Sequence, residues 1–193
     1  MKIFNSRYFF LAFSISWLML VTNCDNSRSS RLLRIGHVLD INSPVHKAMI
    51  YFGERLESYS DGSIKLKVYP SSQLGNEREI LELLQLGSLD IAKVSSAVLE
   101  NFVPEMGVFS LPYLFRDSQH LWQCLNGSIG KDLLLKGEKF WLRGLCYYDA
   151  GFRSFFLKNK AVEVPEDLKG LKIRVMRSNL QIRTINMLGG NAT

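Results

Sequence analysis

The side chain with the clearest chemical use is Arg174, in the stretch Val164-Pro165-Glu166-Asp167-Leu168-Lys169-Gly170-Leu171-Lys172-Ile173-Arg174-Val175. Leu171, Ile173 and Val175 alternate with Lys172 and Arg174, which is the period of a half-buried strand. Pro165 restricts Val164 to extended backbone, and Gly170 permits a tight bend. A guanidinium would therefore be held on a short rigid strand just after a turn. Its fixed fork of donors matches a carboxylate through two parallel hydrogen bonds, which a lysine ammonium cannot copy. On pattern alone, an arginine alternating with apolar residues is more often a solvated strand position than a ligand for anything.

Other chemistries are poorly served. No nucleophile–base pair, metal cluster or phosphate-cradling loop is present in the sequence pattern, so catalysis is the weakest reading and neither cofactor nor metal is expected. His37, His46 and His120 are scattered, with no metal-ligand spacing. Gly127-Ser128-Ile129-Gly130 is too short and too poor in glycine for a phosphate loop. Cys124 and Cys146 could pair in an oxidising compartment if their geometry allowed it, but small buried packing residues are the commoner role. Positive charge is spread along the chain, and no basic run alternates with aromatics, which argues against a nucleic-acid surface. A modest cationic excess suits an anionic small ligand, weakly.

The first residues read as an export signal. Lys2 and Arg7 form a basic start, and residues 8–21 are an uncharged apolar run of 14, too short for a comfortable membrane span. Residues 1–23 would be the signal. The run ends Leu20-Val21-Thr22-Asn23-Cys24, similar to a bacterial lipoprotein cleavage site, although Asn23 stands where Gly, Ala or Ser is usual. Lipidation of Cys24, ordinary cleavage and an uncleaved anchor all fit, lipidation foremost. Residues 24–31 are polar and read as a tether. Losing Lys2 and Arg7 with no acidic residue lowers the formal charge from +6 to +4.

The remaining chain alternates strand and helix patterns, which predicts an α/β domain with a largely parallel sheet. Strands are expected at 32–38, 64–69 and 90–94. A helix should begin at Ser43-Pro44, with Ser43 as cap and Pro44 in the first turn, and another at Asn76 or Glu77, closed by Gly87. In such sheets ligands bind beyond the carboxyl ends of the strands, so the loops after Val38, Tyr69 and Val94 lie on the ligand side. Residues 102–105 and 111–115 read as loop and buried wall. Helices should follow at 119–125 and 129–136, then a strand at 142–148 and a further extended run at 152–157, the latter carrying Arg153. A last helix, 180–188, is expected with Asn179 as its cap.

Several stretches now add up. They are Tyr69-Pro70-Ser71-Ser72-Gln73-Leu74-Gly75 with Glu77-Arg78-Glu79, then Leu86-Gly87-Ser88-Leu89-Asp90-Ile91, then Phe109-Ser110-Leu111-Pro112-Tyr113-Leu114-Phe115. Gly151-Phe152-Arg153 and the Pro165-to-Val175 stretch complete the set. In this order the chain resembles the solute-binding proteins of tripartite ATP-independent periplasmic (TRAP) transporters, the DctP-like C4-dicarboxylate-binding family. The resemblance implies an α/β, two-lobed periplasmic-binding-protein-like fold with mixed sheets. Lobe one would be 32–148, nearly complete, and 149–193 the start of lobe two, partial. It implies a protein that closes on an organic acid and delivers it to the TRAP permease subunits in the membrane. The expected place is the periplasm, with a membrane tether if Cys24 carries lipid. Arg174 would be the main carboxylate partner and Arg153 a second one. His37, Gln73 and Ser95 lie where relatives make lobe-one contacts.

The solute is left open among dicarboxylates, sialic acid, ectoine-like zwitterions, keto acids and sugar acids. Family members run on well past the equivalent of Asn191. A fragment, a frameshifted product or a function completed by a separate chain is therefore expected, with an unpaired sheet edge and low solubility. A ligand-sensing module on the same fold and a non-functional remnant stand as alternatives.

Overall fold

The computed structural model describes residues 30–149, 151–158 and 161–193. The predicted signal at 1–23, Cys24 and the tether as far as residue 29 lie outside the described residues.

The first unit is built on three strands. β1 (Arg31–Gly36) lies between β2 (Ile64–Tyr69) and β3 (Ile91–Ala92), and both ladders are parallel. The register sets Gly36 beside Tyr69 and Ala92, so all three strands deliver their following residues to one end. Helix α1 (Pro44–Tyr59) crosses from β1 to β2. It starts where expected, with Ser43 accepting the Val45 N–H at 3.2 Å and Pro44 in the first turn. Gly53 lets α1 lie against Leu66, whose Cβ would stand 3.2 Å from any added methyl. Helix α2 (Glu77–Gln85) returns to β3 and opens on a capping box, in which Asn76 accepts from Glu79 N–H while the Glu79 carboxylate accepts from Asn76 N–H. Arg34 and Asp90 pair at 3.3 Å and also share a backbone bond, which ties β1 to the entry of β3. Ile35, Ile80, Leu81 and Leu89 are buried where helix meets sheet.

After β3 the chain becomes helical. α3 (Ser96–Leu99), a 3-10 turn (Pro104–Ser110), α4 (Ser118–Asn126) and α5 (Ser128–Leu135) follow. Leu81, Val98 and Leu142 form one core cluster. A second cluster, Leu168, Ile173 and Ile185, organises the last segment. There β4 (Lys172–Ile173) pairs in parallel with β5 (Asn191–Ala192) around helix α6 (Asn179–Met187). All ladders among the described residues are parallel.

Several expectations are corrected. Residues 142–148 are not a strand, because no described strand lies alongside to complete a ladder; only isolated contacts such as Gly144 N–H to Leu134 C=O are made. The expected buried wall at 111–115 faces outward instead. Tyr113 takes a positive φ of 59° and is 98% exposed, with Leu111 and Leu114 also exposed. The cap of α6 is Ser178, not Asn179: Ser178 holds extended backbone, is fully buried and accepts the Gln181 N–H at 3.1 Å. Cys124 and Cys146 are free thiols, and Cys146 is exposed rather than packed.

Candidate functional site

The carboxyl ends of the three parallel strands are laced together by backbone bonds. His37 N–H donates to Tyr69 C=O at 3.0 Å, Lys93 N–H to Gly36 C=O at 3.0 Å, Ser71 N–H to Leu39 C=O at 2.9 Å and Ser72 N–H to His37 C=O at 3.3 Å. The turn after β2 is strained to reach these partners, since Ser71 and Ser72 both sit at positive φ. One compact edge therefore carries the loops of three strands, the place where open α/β sheets bind ligands.

His37 occupies that edge without presenting a free polar atom. It is completely buried, and its Nδ1 accepts the Leu39 N–H at 3.2 Å. A backbone N–H can only donate, so the ring proton sits on Nε2 and is shared with His46 Nδ1 at 3.0 Å. Burial, then His46, then Lys93, push the His37 pKa below the ordinary histidine value and hold the ring neutral. The histidine at the strand end is satisfied internally in this conformation.

Ser95 is likewise engaged. Its N–H and hydroxyl donate to the two oxygens of Glu77 at 3.0 and 2.6 Å. Glu77 is buried at the start of α2, and Lys93 Nζ approaches it at 4.0 Å. Glu77 stands out in the sequence only as a helix start and part of a family motif, and Lys93 not at all, since nothing local announces that a helix-opening glutamate meets a serine 18 positions later. Gln73 is exposed in the turn after β2, its N–H bonded to Pro70 C=O at 3.0 Å.

The two predicted arginines belong to the other part of the chain. Pro165 opens a 3-10 turn (Pro165–Leu168), where the Asp167 carboxylate accepts the Val164 N–H at 3.2 Å. Gly170 takes φ 75°, the left-handed value its position requires. β4 follows, Ile173 buries into the second core cluster, and Arg174 emerges exposed. Thr193 N–H to Ile173 C=O at 2.9 Å and Val175 N–H to Thr193 C=O at 3.0 Å hold the backbone on both sides of it. Among the described residues the Arg174 guanidinium has no hydrogen-bond or ion-pair partner. Arg153, also exposed, donates to the Met176 thioether at 2.9 Å, a weak acceptor. That contact draws Arg153 to the segment that carries Arg174. No hydrogen bond joins either arginine to His37, Gln73 or Ser95 among the described residues.

What this arrangement can do is hold an anion. Among the described residues a planar cation stands unpaired on a backbone fixed from both sides, and a second guanidinium touches Met176, two positions further on. Among the described residues no three metal-ligating side chains cluster, and no helix is long and apolar enough to cross a membrane.

Residues 35–193 match the model of DctP, the bacterial extracellular solute-binding protein family 7. The chain belongs to this family. Its relatives include the uncharacterised protein YiiZ of Salmonella typhimurium, 37% identical over 166 residues, or 86% of this chain and 50% of the relative. Among solved structures it is similar to a TRAP periplasmic solute-binding protein of a Bradyrhizobium species in complex with galacturonate. The two are 40% identical with a TM-score of 0.81, over 84% of this chain and 54% of that one. A TRAP periplasmic solute-binding protein of Sulfurospirillum deleyianum with bound succinate is 33% identical with a TM-score of 0.79, over 86% and 53%. The α/β fold expected from the sequence is thus that of the family 7 solute-binding proteins. The chain spans about half the length of the relatives it matches.

Proposed function

We propose that this chain supplies the carboxylate-gripping part of a TRAP-type solute-binding protein. Arg174 is the principal partner of the ligand carboxylate and Arg153 the second, while the loops around His37, Gln73 and Ser95 form the facing wall. In this reading 32–148 is lobe one and 149–193 begins lobe two. The observation that carries it is the Arg174 guanidinium, unpaired among the described residues, one position past β4 and next to the buried Ile173. The galacturonate and succinate of the two structural relatives support the ligand class, since a carboxylate is the group they share.

The physics is direct. A carboxylate entering a closed cleft loses water and must be repaid by charge-assisted partners, which a guanidinium fork provides along with orientation. Partners split between two lobes make the closed state the one that binds best, so occupancy becomes a shape that a membrane permease can read. The protein would work in the periplasm, tethered there if Cys24 is lipidated. This is binding and delivery rather than catalysis.

A thermal-shift screen of the purified protein tests it. A ligand present at a hundred times its Kd adds about 2.7 kcal/mol of stability and raises Tm visibly. Galacturonate, succinate or a related acid is expected to do so, whereas the corresponding neutral sugars are not. A screen in which no carboxylate raises Tm, or neutral sugars do equally well, would refute the proposal.

A further inference from the structure

Glu100 is a buried carboxylate that the binding of a solute acid does not use. It follows α3 directly and is 8% exposed. One oxygen accepts the Ser110 hydroxyl at 3.1 Å, from the end of the 3-10 turn. The other accepts the Leu180 N–H at 3.2 Å, 80 residues further on, in the first turn of α6. No cation pairs with it among the described residues. A buried carboxyl group is retained where donors satisfy its oxygens, and the start of a helix provides free N–H groups for this. Its neighbour Asn101 donates from Nδ2 to Arg177 C=O at 2.7 Å. Consecutive residues of the first unit therefore grip the chain on either side of Ser178. Met176, just upstream, packs on the Leu81, Val98 and Leu142 cluster. Beside these bonds the junction is an open groove of about 170 Å³, lined partly by Arg78, Arg177 and Asn179. Among the described residues the side-chain hydrogen bonds across the junction come from Glu100 and Asn101.

We propose that Glu100 and Asn101 are positioning residues that clamp the exit of the Arg174 strand and the first turn of α6 to the first unit. The clamp sets where the Arg174 guanidinium stands relative to the loops after β1 and β3. The inference rests on the carboxylate-binding reading of Arg174. A merely space-filling Glu100 would tolerate an apolar replacement of similar size; a clamp needs an acceptor aimed at Leu180 N–H.

Glu100→Ala, Glu100→Gln and Asn101→Ala in the full chain test this, with two readouts. Amide exchange without ligand reports the grip on α6, and calorimetric titration with galacturonate and succinate reports the placement of Arg174. Glu100→Ala is expected to speed exchange in α6 about tenfold while β1 and β2 stay protected, and to weaken binding of the better acid about tenfold. Glu100→Gln keeps the acceptor for Leu180 and can donate to Ser110 in return, so it should stay within about threefold of the parent in both. If Glu100→Ala does not fold, Asn101→Ala decides, with affinity expected to fall about threefold or more. Affinity unchanged in Glu100→Ala, or in Asn101→Ala where the former cannot be purified, overturns the clamp. So does Glu100→Gln as impaired as Glu100→Ala. If Arg174→Ala abolishes binding while Glu100→Ala does not, only the clamp falls; if the parent binds neither acid, the Arg174 reading falls and the positioning role with it.

Discussion

Replacing Arg174 by lysine isolates what the fork contributes beyond its charge. Arg174 is exposed and has no protein partner among the described residues, so its loss removes nothing from the fold. Stability without ligand should stay within about 0.5 kcal/mol of the parent, as for other surface changes. Affinity should not. A hydrogen bond to a charged group is worth about 1.5–3 kcal/mol, and lysine can replace at most one of the two in a bidentate pair. Losing the other, at about 2 kcal/mol, weakens binding about thirtyfold. Arg174→Ala loses both and should weaken it roughly a thousandfold. Calorimetric titration with the best acid from the thermal screen, beside denaturant unfolding of each ligand-free protein, separates the two effects. Arg174→Lys binding as tightly as the parent would show that the planar pair is not made. A large loss of ligand-free stability would show instead that Arg174 holds the fold together, contrary to its exposure.

Two further outcomes follow from the first unit. The unfolded chain protonates His37 near the ordinary histidine pKa of about 6.5, and the folded chain only at lower pH, because burial, His46 and Lys93 oppose the charge. Between those values the unfolded state binds more protons, so this contribution is complete above about pH 6.5 and is lost as pH falls through the folded value. Denaturant unfolding at several pH values should show that decline, and His37→Asn should flatten it; an equal slope in the variant would exclude the histidine pair as its source. Gly75→Ala should destabilise by about 1–2 kcal/mol or more, because Gly75 sits at φ 96° and an added Cβ would collide with the Glu79 carboxylate that closes the capping box. A Gly75→Ala protein as stable as the parent in urea would show that the box is dispensable.

The elements legible in the sequence are those specified by neighbours along the chain. Ser43-Pro44 announces α1, Ile64, Leu66 and Val68 announce β2, and Asn76 with Glu79 announces α2, because a cap or an alternation needs only a few adjacent residues. The errors concern partners far away. Residues 142–148 have strand-like composition, but a strand exists only when another lies beside it. Ser178 and Asn179 are both good caps by type, and the choice fell to the one whose backbone the clamp at Arg177 and Leu180 leaves extended. The candidate site divides in the same way. The exposure of Arg174 beside a buried Ile173 is legible because an alternation is local. The engagement of His37 by His46 and of Ser95 by Glu77 is not, since each depends on how α1 and α2 return to the sheet.

The strand that displays Arg174 also restricts how the chain can change. Side chains on such a backbone point alternately to opposite faces, and here Ile173 is sealed inside while its successor meets water. Inserting or deleting one residue between Gly170 and Arg174 would exchange their fates, driving the cation into an apolar cluster and turning the isoleucine outward. On the proposed reading, substitutions along this stretch would alter the grip by degrees, whereas a change of length by one would abolish it, so drift here should proceed by replacement at constant spacing.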